Sequence, residues 1–335
     1  MWTPPWGVYT TTSNAGRCSF LLARSETRSM FCPSLCQSTM DVIDLFCGCG
    51  GFSSGALQAG ATISLAIEAD PHVARIYARN FDHAPRVETL GEVEPLAQEI
   101  IARFDLNRTH VHGSPPCVRL SQVNKTNPDV DAGLELVRFF LDLVQRVQPR
   151  SWSMEQVSHP AVRKELTERG VAFTVVNAVD FGLPQNRVRV IAGSQRIVSA
   201  LEQCKGTGPT LLPKDVLTSL QPSRYKLTSG TSNQPIKVRR GGKNVTVGHR
   251  PMREDEGARD LHTPCHTVYS KPGGVFDCQT GSRTRKLTPG ECASLQGFGT
   301  EFVLGNSMQR SYRVVGNAIP PPLARAIMST AVSGR

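Results

Sequence analysis

From Asp41 onward, short apolar segments of strand length alternate with longer segments of helical period, and this alternation most constrains the fold. Successive strands separated by helices lie parallel, because each helix carries the chain back across one face of the sheet. The pattern predicts an α/β fold with a doubly wound, mostly parallel sheet covered by helices on both faces. The expected strands are 41–46, 62–67, 109–112, 151–157, 172–178 and 188–192, and the expected helices are 52–59, 72–80, 93–103, 134–147, 159–169, 289–296 and 319–329.

The alternation stops after Gly193, where a segment rich in glycine, proline, serine and threonine begins. Residues 194–282 show no sustained helical period. They hold 13 Lys or Arg against 7 Asp or Glu, so 6 of the chain's 10 surplus positive charges lie there. We predict a catalytic domain of residues 41–193 and 283–335, with a small, irregular second domain of residues 194–282.

Residues 1–40 differ from the rest of the chain, since they are rich in serine and threonine and contain one acid, Glu26. This composition is typical of an organellar transit peptide. We favour a disordered extension, or an upstream start codon before a true start at Met40, because the segment shows no clear amphipathic helix. In each case the fold is expected to begin at Asp41.

The charge balance and the cysteines restrict the class of protein. A net charge of +10 favours a polyanionic partner such as nucleic acid. No segment approaches the ~18 consecutive apolar residues that a membrane helix needs. Ten cysteines in 335 residues indicate free thiols in a reducing compartment, because a chain of this size needs no disulfide bridges, so we do not expect a secreted protein. The spacing of His262, Cys265, His266 and Cys278 matches no zinc-ligand pattern, so no metal site is predicted.

A glycine turn follows the first predicted strand. In Asp44-Leu-Phe-Cys-Gly-Cys-Gly-Gly51, the glycines Gly48, Gly50 and Gly51 stand between a strand and a helix, where they allow a tight turn and the close approach of a ligand. Glu68 ends the next strand, 20 residues after Gly48, where a carboxylate can accept both hydroxyls of a ribose. These residues predict a nucleoside cofactor without distinguishing its kind.

Residues suited to covalent chemistry follow three later strands. In Gly113-Ser-Pro-Pro-Cys117, two prolines stiffen the backbone before the thiol, which suits a nucleophile at the mouth of a cleft. Glu155 ends the next strand and could share a proton with a ring nitrogen. Arg187 and Arg189 alternate with valines and are expected on one face. The alternatives are a buried structural cysteine and an exposed pair of arginines in salt bridges.

Six short blocks occur in a fixed order: Asp-Leu-Phe-x-Gly-x-Gly-Gly, Pro-Pro-Cys, Glu-x-Val, Gln-x-Arg-x-Arg, Arg-x-Leu-Thr-Pro-x-Glu and Gly-Asn-Ala-x-Pro. In these blocks, residues 41–335 resemble the DNA (cytosine-5) methyltransferases of the prokaryotic or viral single-chain type. The resemblance implies a class I S-adenosylmethionine-dependent methyltransferase fold. It also implies S-adenosyl-L-methionine as cofactor, double-stranded DNA as substrate, and a target-recognition role for residues 194–282.

The resemblance also implies roles for single residues in the cofactor pocket. Phe46 would lie against the adenine and Glu68 would bind the ribose, while Glu88 is a candidate for the adenine amino group. Asn317 would help to close the pocket, because the C-terminal helix of this family packs beside the first glycine turn.

For the reaction, the resemblance implies that Cys117 adds to cytosine C6 and that Glu155 stabilises a protonated N3. Arg189, with Arg187, would hold the cytosine and the active-site loop. Since the target base lies inside a duplex, it must be flipped out, and residues 118–131 are the expected closing loop. The residues expected to contact DNA are Arg119, Ser121, Lys125, Arg239, Arg240 and Arg285.

The chain departs from the family pattern at two positions, with Val118 where glutamine is common and Gln156 where asparagine is usual. A transfer RNA cytosine methyltransferase is one alternative, but its Pro-Pro-Cys-Gln-Pro-Phe-Thr and Cys-Phe-Thr signatures are absent. A catalytically silent DNA-binding homologue is the other, and it would have lost Cys117, Glu155 or the glycine turn. We expect a monomer in the cytoplasm or nucleus, or in an organelle if residues 1–40 are a transit peptide. The sequence specifies neither the target site nor a restriction endonuclease partner.

Overall fold

The structure, a computed structural model, describes residues 40–116, 130–207, 211–228, 233–240, 243–251, 258–270 and 273–333, and of 233–240 and 243–251 it describes the backbone. These residues belong to one compact unit, Ser38–Arg335. Across them, no helix combines the length and the apolar character needed to span a membrane.

A seven-stranded sheet forms the centre of the described part. Its strands are β1 (Asp41–Leu45), β2 (Thr62–Glu68), β3 (Arg86–Val87), β4 (Thr109–Gly113), β5 (Ser151–Val157), β6 (Phe173–Asn177) and β8 (Val188–Gly193), while β7 (Gln185–Asn186) lies outside it. The strand order is β3-β2-β1-β4-β5-β8-β6, and β8 alone runs antiparallel to its neighbours. The predicted doubly wound, mostly parallel sheet is therefore confirmed. The strand order reverses between β1 and β4, and ligands of such sheets bind in the crevice at this point.

Helices cover both faces of the sheet. They are α1 (Gly51–Gln58), α2 (Pro71–Tyr77), α3 (Val93–Arg103), α4 (Val130–Val147), α5 (Pro160–Glu168), α6 (Gln195–Gln203), α7 (Pro213–Val216), α8 (Pro289–Leu295), α9 (Met308–Asn317) and α10 (Pro321–Val332), with 3₁₀ helices at Leu106–Arg108 and Ala178–Phe181. Ile43 and Val111 pack with Phe140 of α4 on one face, whereas Val42 packs with Phe52 of α1 on the other. The alternation of apolar residues along each strand thus fills two separate cores.

Helix α6 corrects the expectation that the helical pattern stops after Gly193. Its buried residues Ile197, Val198 and Leu201 recur at helical spacing, and Ile197 and Leu201 join the same core as Ile191 of β8. The helix therefore belongs to the layer that covers the sheet. Its apolar stripe is only three residues long, so it did not stand out in a polar segment.

The rest of the predicted second domain contains antiparallel strands. They are β9 (Tyr225–Thr228), β10 (Asn233–Arg240), β11 (Lys243–Pro251), β12 (Ala258–Asp260), β13 (Cys265–His266), β14 (Gly274–Asp277) and β15 (Ser282–Lys286). Strands β12, β9, β14 and β15 form one sheet in that order, β10 pairs with β11, and β13 pairs with β7. Strand β15 crosses the predicted boundary at 282, and Leu227 and Val275 share a core with Leu295 of α8. The division into catalytic and recognition domains stays a prediction.

Candidate active site

The glycine turn after β1 has an unusual backbone. Phe46 has φ 58°, Gly48 has φ 57° and Gly50 has φ 95°. A positive φ is rare for a bulky side chain and marks local strain, which in proteins gathers at functional sites. The half-buried Phe46 ring meets the edge of Phe139 at 6.3 Å between centroids. The turn therefore holds an aromatic ring at the carboxyl end of β1.

Packing explains two of the three predicted glycines. A Cβ at Gly50 would lie 2.1 Å from the ring of Phe81, and one at Gly51 would lie 2.2 Å from the carbonyl oxygen of Ile319. Gly55 was not singled out in the sequence, yet a Cβ there would lie 2.4 Å from the carbonyl oxygen of Pro321. Gly51 and Gly55 are four residues apart in α1 and so share one face, which is the available sequence signal. Close approach of the C-terminal segment thus accounts for Gly51 and Gly55, whereas the ring of Phe81 accounts for Gly50.

Glu68 holds the glycine turn from the neighbouring strand. Its carboxylate accepts hydrogen bonds from the backbone N–H groups of Gly48 at 3.0 Å and Asp70 at 2.8 Å. Burial raises the pKa of Glu68 above its ordinary value. Glu88 follows β3, and its N–H donates to the carbonyl oxygen of Glu68 at 3.2 Å, while its exposed carboxylate lies 2.6 Å from Nε of Arg86.

The C-terminal segment reaches the same edge of the sheet. Asn317 is exposed and ends α9, and the two residues that follow it contact the position of Gly51. The structure therefore brings the predicted cofactor residues to the carboxyl ends of β1, β2 and β3, next to the end of α9. Their roles toward a cofactor stay predictions.

A buried polar cluster beneath the turn was not foreseen from the sequence. Asp44 of β1 accepts a hydrogen bond from the hydroxyl of Ser53 at 2.6 Å, and Ser53 accepts one from the hydroxyl of Tyr77 at 2.9 Å. Burial is the main cause that raises the pKa of Asp44 to about 7. The second oxygen, Oδ1, has no hydrogen-bond partner among the described residues. Asp44 is thus a carboxyl that can carry a proton near neutral pH.

Glu155 and Arg189 form a nearly buried ion pair at the carboxyl end of β5. Nε of Arg189 lies 2.7 Å from Oε1 of Glu155, and the two side chains are 14% and 8% exposed. In the antiparallel pair of β5 and β8, Val157 lies opposite Arg189, so Glu155 is its diagonal neighbour on the same face. The structure therefore brings these two predicted catalytic residues together.

Arg187 has different partners, and this corrects the expectation that both arginines act on one face. Its buried guanidinium donates to the carbonyl oxygens of Val268 at 3.2 Å, Gly316 at 3.1 Å and Ala318 at 2.9 Å. The strand that ends at Asn186 pairs with β13 rather than with the main sheet. The chain thus changes sheet at Arg187, which breaks the alternation on which the expectation depended.

Hydrogen bonds and close packing hold the start of the proline loop. The N–H of Ser114 donates to the carbonyl oxygen of Leu45 at 3.2 Å. Nε2 of Gln156 donates to the carbonyl oxygen of Pro115 at 3.1 Å, and Oε1 of Gln156 accepts from the N–H of Val157 at 2.8 Å. A Cβ at Gly113 would lie 2.4 Å from the ring of Phe140. Gln156, which replaces the usual asparagine of the family, thus makes a bracing contact.

The remaining predicted residues are only partly described. Arg285 is 41% exposed and pairs with Glu291 through two hydrogen bonds of 2.6 Å and 2.7 Å. Arg239 and Arg240 end β10, opposite Asn244 and Lys243 of β11, so their backbone lies at one end of the strand pair. The other predicted residues lie outside the described part of the chain: Cys117, Val118, Arg119, Ser121 and Lys125.

Among the described cysteines, five have free thiols: Cys47, Cys49, Cys204, Cys265 and Cys292. Burial raises the pKa of Cys265 to about 12, so this thiol stays protonated. Within the described ranges, no group of three or more His, Cys, Asp or Glu side chains is placed to hold a metal ion.

Comparison with known proteins shows the family of this chain. The Type II methyltransferase M1.HphI of Haemophilus parahaemolyticus is 28% identical over 340 residues, covering 87% of this chain and 86% of the relative. The Type II methyltransferase M.AplI of Arthrospira platensis is 29% identical over 314 residues, covering 87% and 85%. A solved structure, described as a DNA modification methyltransferase encoded within an E. coli prophage, shares the fold with a TM-score of 0.59 at 21% identity, covering 87% of this chain and 98% of its own. The family model for C-5 cytosine-specific DNA methylases matches residues 40–333. The chain therefore belongs to the C-5 cytosine-specific DNA methylase family.

Proposed function

We propose that this chain transfers a methyl group from S-adenosyl-L-methionine to carbon 5 of cytosine in double-stranded DNA, through a covalent bond between Cys117 and C6. The observation that carries the proposal is the buried Glu155–Arg189 pair beside the braced Pro115, at the edge of the sheet that also bears the cofactor residues. Membership of the family supports the same reaction.

The residues at the ends of β1 and β2 fit an adenosine. The carboxylate of Glu68 has about four lone-pair sites and uses two of them on backbone donors, so it can also accept ribose hydroxyls. The strained Phe46 offers a ring surface to the adenine, and Glu88 and Asn317 border the same edge. S-adenosyl-L-methionine, when bound, would supply an electrophilic methyl group.

In the proposed chemistry, the thiolate of Cys117 forms a bond to C6 and Glu155 gives a proton to N3. The ring becomes an enamine whose C5 is nucleophilic. After methylation, a base removes the proton from C5, and the bond between sulfur and C6 breaks with its electron pair returning to the Cys117 thiolate. N3 gives its proton back to Glu155, which restores the neutral ring. Arg189 holds the carboxyl of Glu155 in place throughout. A nucleophile thereby divides one difficult substitution into easier steps.

The test is methylation of DNA by the native chain and by Cys117→Ser. Bisulfite sequencing of DNA from expressing cells should show methylated cytosines, and a duplex with 5-fluorocytosine should trap the native protein covalently. We expect Cys117→Ser to lose both activities while it binds S-adenosyl-L-methionine normally. Cys204→Ser, at a half-buried thiol after α6, is the matched control and should behave like the native chain. A Cys117→Ser variant that still methylates would exclude this nucleophile.

The same assay separates the two alternatives. A transfer RNA methyltransferase would modify transfer RNA and leave duplex DNA unmodified, whereas a silent homologue would bind DNA and modify neither substrate. Because one chain carries all the proposed groups, we propose that it acts as a monomer in a compartment that contains DNA.

We further propose that residues 194–282, apart from helix α6, read the DNA sequence. The proposal rests on the positive charge of this segment and on the strand pair β10–β11, which ends at Arg240 and Lys243. In the variant R239A/R240A, loss of phosphate contacts should reduce the salt slope, which is the slope of the logarithm of the binding constant against the logarithm of the salt concentration, by about one unit per contact. Loss of a contact to a guanine should instead weaken the discrimination against other bases at one position of the target sequence, by ~1–3 kcal/mol.

Arg196→Ala, at an exposed arginine of α6, is the control for this test and should change neither property. An unchanged salt slope together with an unchanged map of methylated sites would show that Arg239 and Arg240 lie on a solvated surface and do not contact DNA.

A further inference from the structure

Two histidines and three serines form a continuous chain of hydrogen bonds on one face of β4 and β5. The nitrogens of His110 lie 2.8 Å from Oγ of Ser151 and 2.9 Å from Oγ of Ser153. Those of His112 lie 2.8 Å from Oγ of Ser153 and 2.9 Å from Oγ of Ser114. We call these five residues the histidine–serine chain. It runs across the buried face of the sheet to the start of the proline loop.

The register of the sheet produces this arrangement. In the parallel pair of β4 and β5, His110 lies beside Ser151 and His112 lies beside Ser153. Alternate residues of a strand face the same side, so both histidines and Ser114 follow one another toward the carboxyl end of β4. Glu155 is the next residue on the same face of β5 after Ser153. The chain therefore leads toward the proposed proton donor.

The surroundings keep water away from this chain. The ring of Phe52 is stacked on His112 with centroids 3.5 Å apart and on His110 at 5.9 Å. Both histidines have no exposed surface. Burial lowers the pKa of His110 to about 3 and that of His112 well below its ordinary value, so both imidazoles are neutral at physiological pH.

Neutral rings make the five groups interdependent. A neutral imidazole has one donor and one acceptor nitrogen, and a serine hydroxyl has one proton to donate. Ser153 contacts both rings and can donate to only one of them, so the tautomer of each ring depends on the direction of this hydroxyl. A change at one end of the chain therefore alters the hydrogen bond at the other end.

We propose that His112 and Ser114 are positioning residues, through which the histidine–serine chain sets the direction in which the backbone leaves β4 toward Cys117. The inference rests on the proposed function of Cys117 and names residues that the family blocks do not include. Ser114 is held at its N–H by Leu45 and at its hydroxyl by His112, and the next residue, Pro115, is held by Gln156. Cys117 follows three residues after Ser114.

The test compares Ser114→Ala, which removes the last hydrogen bond of the chain, with Ser114→Thr, which keeps a hydroxyl. The measurements are the rate of covalent trapping on a 5-fluorocytosine duplex at saturating DNA and cofactor, the Kd for S-adenosyl-L-methionine, and the unfolding midpoint. We expect Ser114→Ala to trap about tenfold more slowly, the effect of one lost hydrogen bond on the barrier. Its cofactor Kd should stay within about twofold. Its midpoint should fall by only a few degrees, because Nε2 of His112 loses one partner. Ser114→Thr should recover most of the rate.

Ser64→Ala is the matched control, because it also removes one serine hydrogen bond, 3.0 Å long to Asp41, from the same sheet. It should trap at the native rate. Trapping by Ser114→Ala at the native rate would overturn the proposal. So would equal losses of trapping, cofactor affinity and stability, since these would show a purely structural role.

A second measurement does not depend on methylation. The rate at which iodoacetamide alkylates Cys117, followed by peptide mass spectrometry, should change at least about threefold in Ser114→Ala while that of Cys204 stays the same. Equal alkylation of Cys117 in both proteins would overturn the positioning role. If the native protein does not trap DNA but the alkylation rate changes, the proposed function fails and the positioning role stands.

Discussion

The cofactor end and the chemical end of the candidate site lie at the same edge of one sheet, yet they are built in different ways. At the cofactor end, around Gly51 and Gly55 of α1, the shape depends on backbone carbonyl oxygens that lie 2.2 Å and 2.4 Å from where a Cβ would stand. At the chemical end, the shape depends on polar side chains, namely the Glu155–Arg189 pair, the Gln156 brace and the histidine–serine chain.

Because the two ends are built differently, substitutions should affect them in different ways. A side chain added to a close-packed backbone contact forces a shift of the main chain and costs about 1–3 kcal/mol of stability. A polar side chain replaced by one of similar shape leaves the packing intact and removes a specific interaction. Substitutions at the cofactor end should therefore lower stability and cofactor binding together, whereas those at the chemical end should lower the rate and leave the fold in place.

Glu155→Gln is the strongest test of this contrast. The amide keeps the shape of the side chain but cannot give a proton to N3, so we expect the methylation rate to fall about 10³-fold. Cofactor affinity should not change. The control is Glu94→Gln, which weakens an exposed ion pair with Arg146, 3.0 Å long, and should leave the rate unchanged. A large loss of cofactor binding in Glu155→Gln would show that the two ends are not separate.

Gly51→Ala probes the cofactor end. The added Cβ would meet the carbonyl oxygen of Ile319 at 2.2 Å, so the free energy of unfolding should fall by about 1–3 kcal/mol. The affinity for S-adenosyl-L-methionine should fall with it. Gly91→Ala has open space around its Cβ and is the matched control. A stable Gly51→Ala variant that binds cofactor normally would contradict the packing argument.

Asp44→Asn tests the opposite pKa shifts of the buried groups at the two ends. The pKa of His110 falls from 6.5 to about 3 on folding, so protonation of the unfolded chain lowers stability below pH 6.5, and His112 acts in the same direction. The pKa of Asp44 rises from 3.8 to about 7, so folding takes up a proton there and acid stabilises the fold. Glu68 acts in this second direction as well.

The opposing effects partly cancel in the native protein. As the pH is lowered from 6.5 to 5, the free energy of unfolding of Asp44→Asn should fall more steeply than that of the native protein. The difference in slope should be about 1.4 kcal/mol per pH unit, measured by urea titration at each pH. Asp82→Asn, at an exposed site, should show the native slope. Parallel slopes for the Asp44 variant and the native chain would mean that Asp44 is ionised throughout this range.

A chain that begins at Met40 is expected to show the smallest effect. Strand β1 starts at Asp41, and both ends of the site lie after it. The free energy of unfolding should change by less than about 0.5 kcal/mol, as is usual for changes away from the core, and the methylation rate should not change. An insoluble or inactive product would make residues 1–39 part of the fold.

The order and type of the main elements, and the candidate residues for the proposed chemistry, could be predicted from the sequence alone. Strand 151–157 and helix 93–103 were predicted with the bounds observed, because their apolar periodicity is local. Glu68 and Glu155 were found because they end strands, and the carboxyl ends of parallel strands meet at one edge. The blocks identified the family for the same reason, since their spacing is local.

Which of these residues contact one another depends on the tertiary fold. Arg187 and Arg189 look equivalent in the sequence, but the chain changes sheet at Arg187. As a result, Arg187 donates hydrogen bonds to three carbonyl oxygens, whereas Arg189 pairs with Glu155. The histidine–serine chain forms only because the register of β4 on β5 places the histidines beside the serines. A glycine is required at position 55 because the carbonyl oxygen of Pro321 packs against it. These contacts join residues that are far apart in the chain. They are set by strand order and register, and neither produces a periodic pattern in the sequence of the contacting segments.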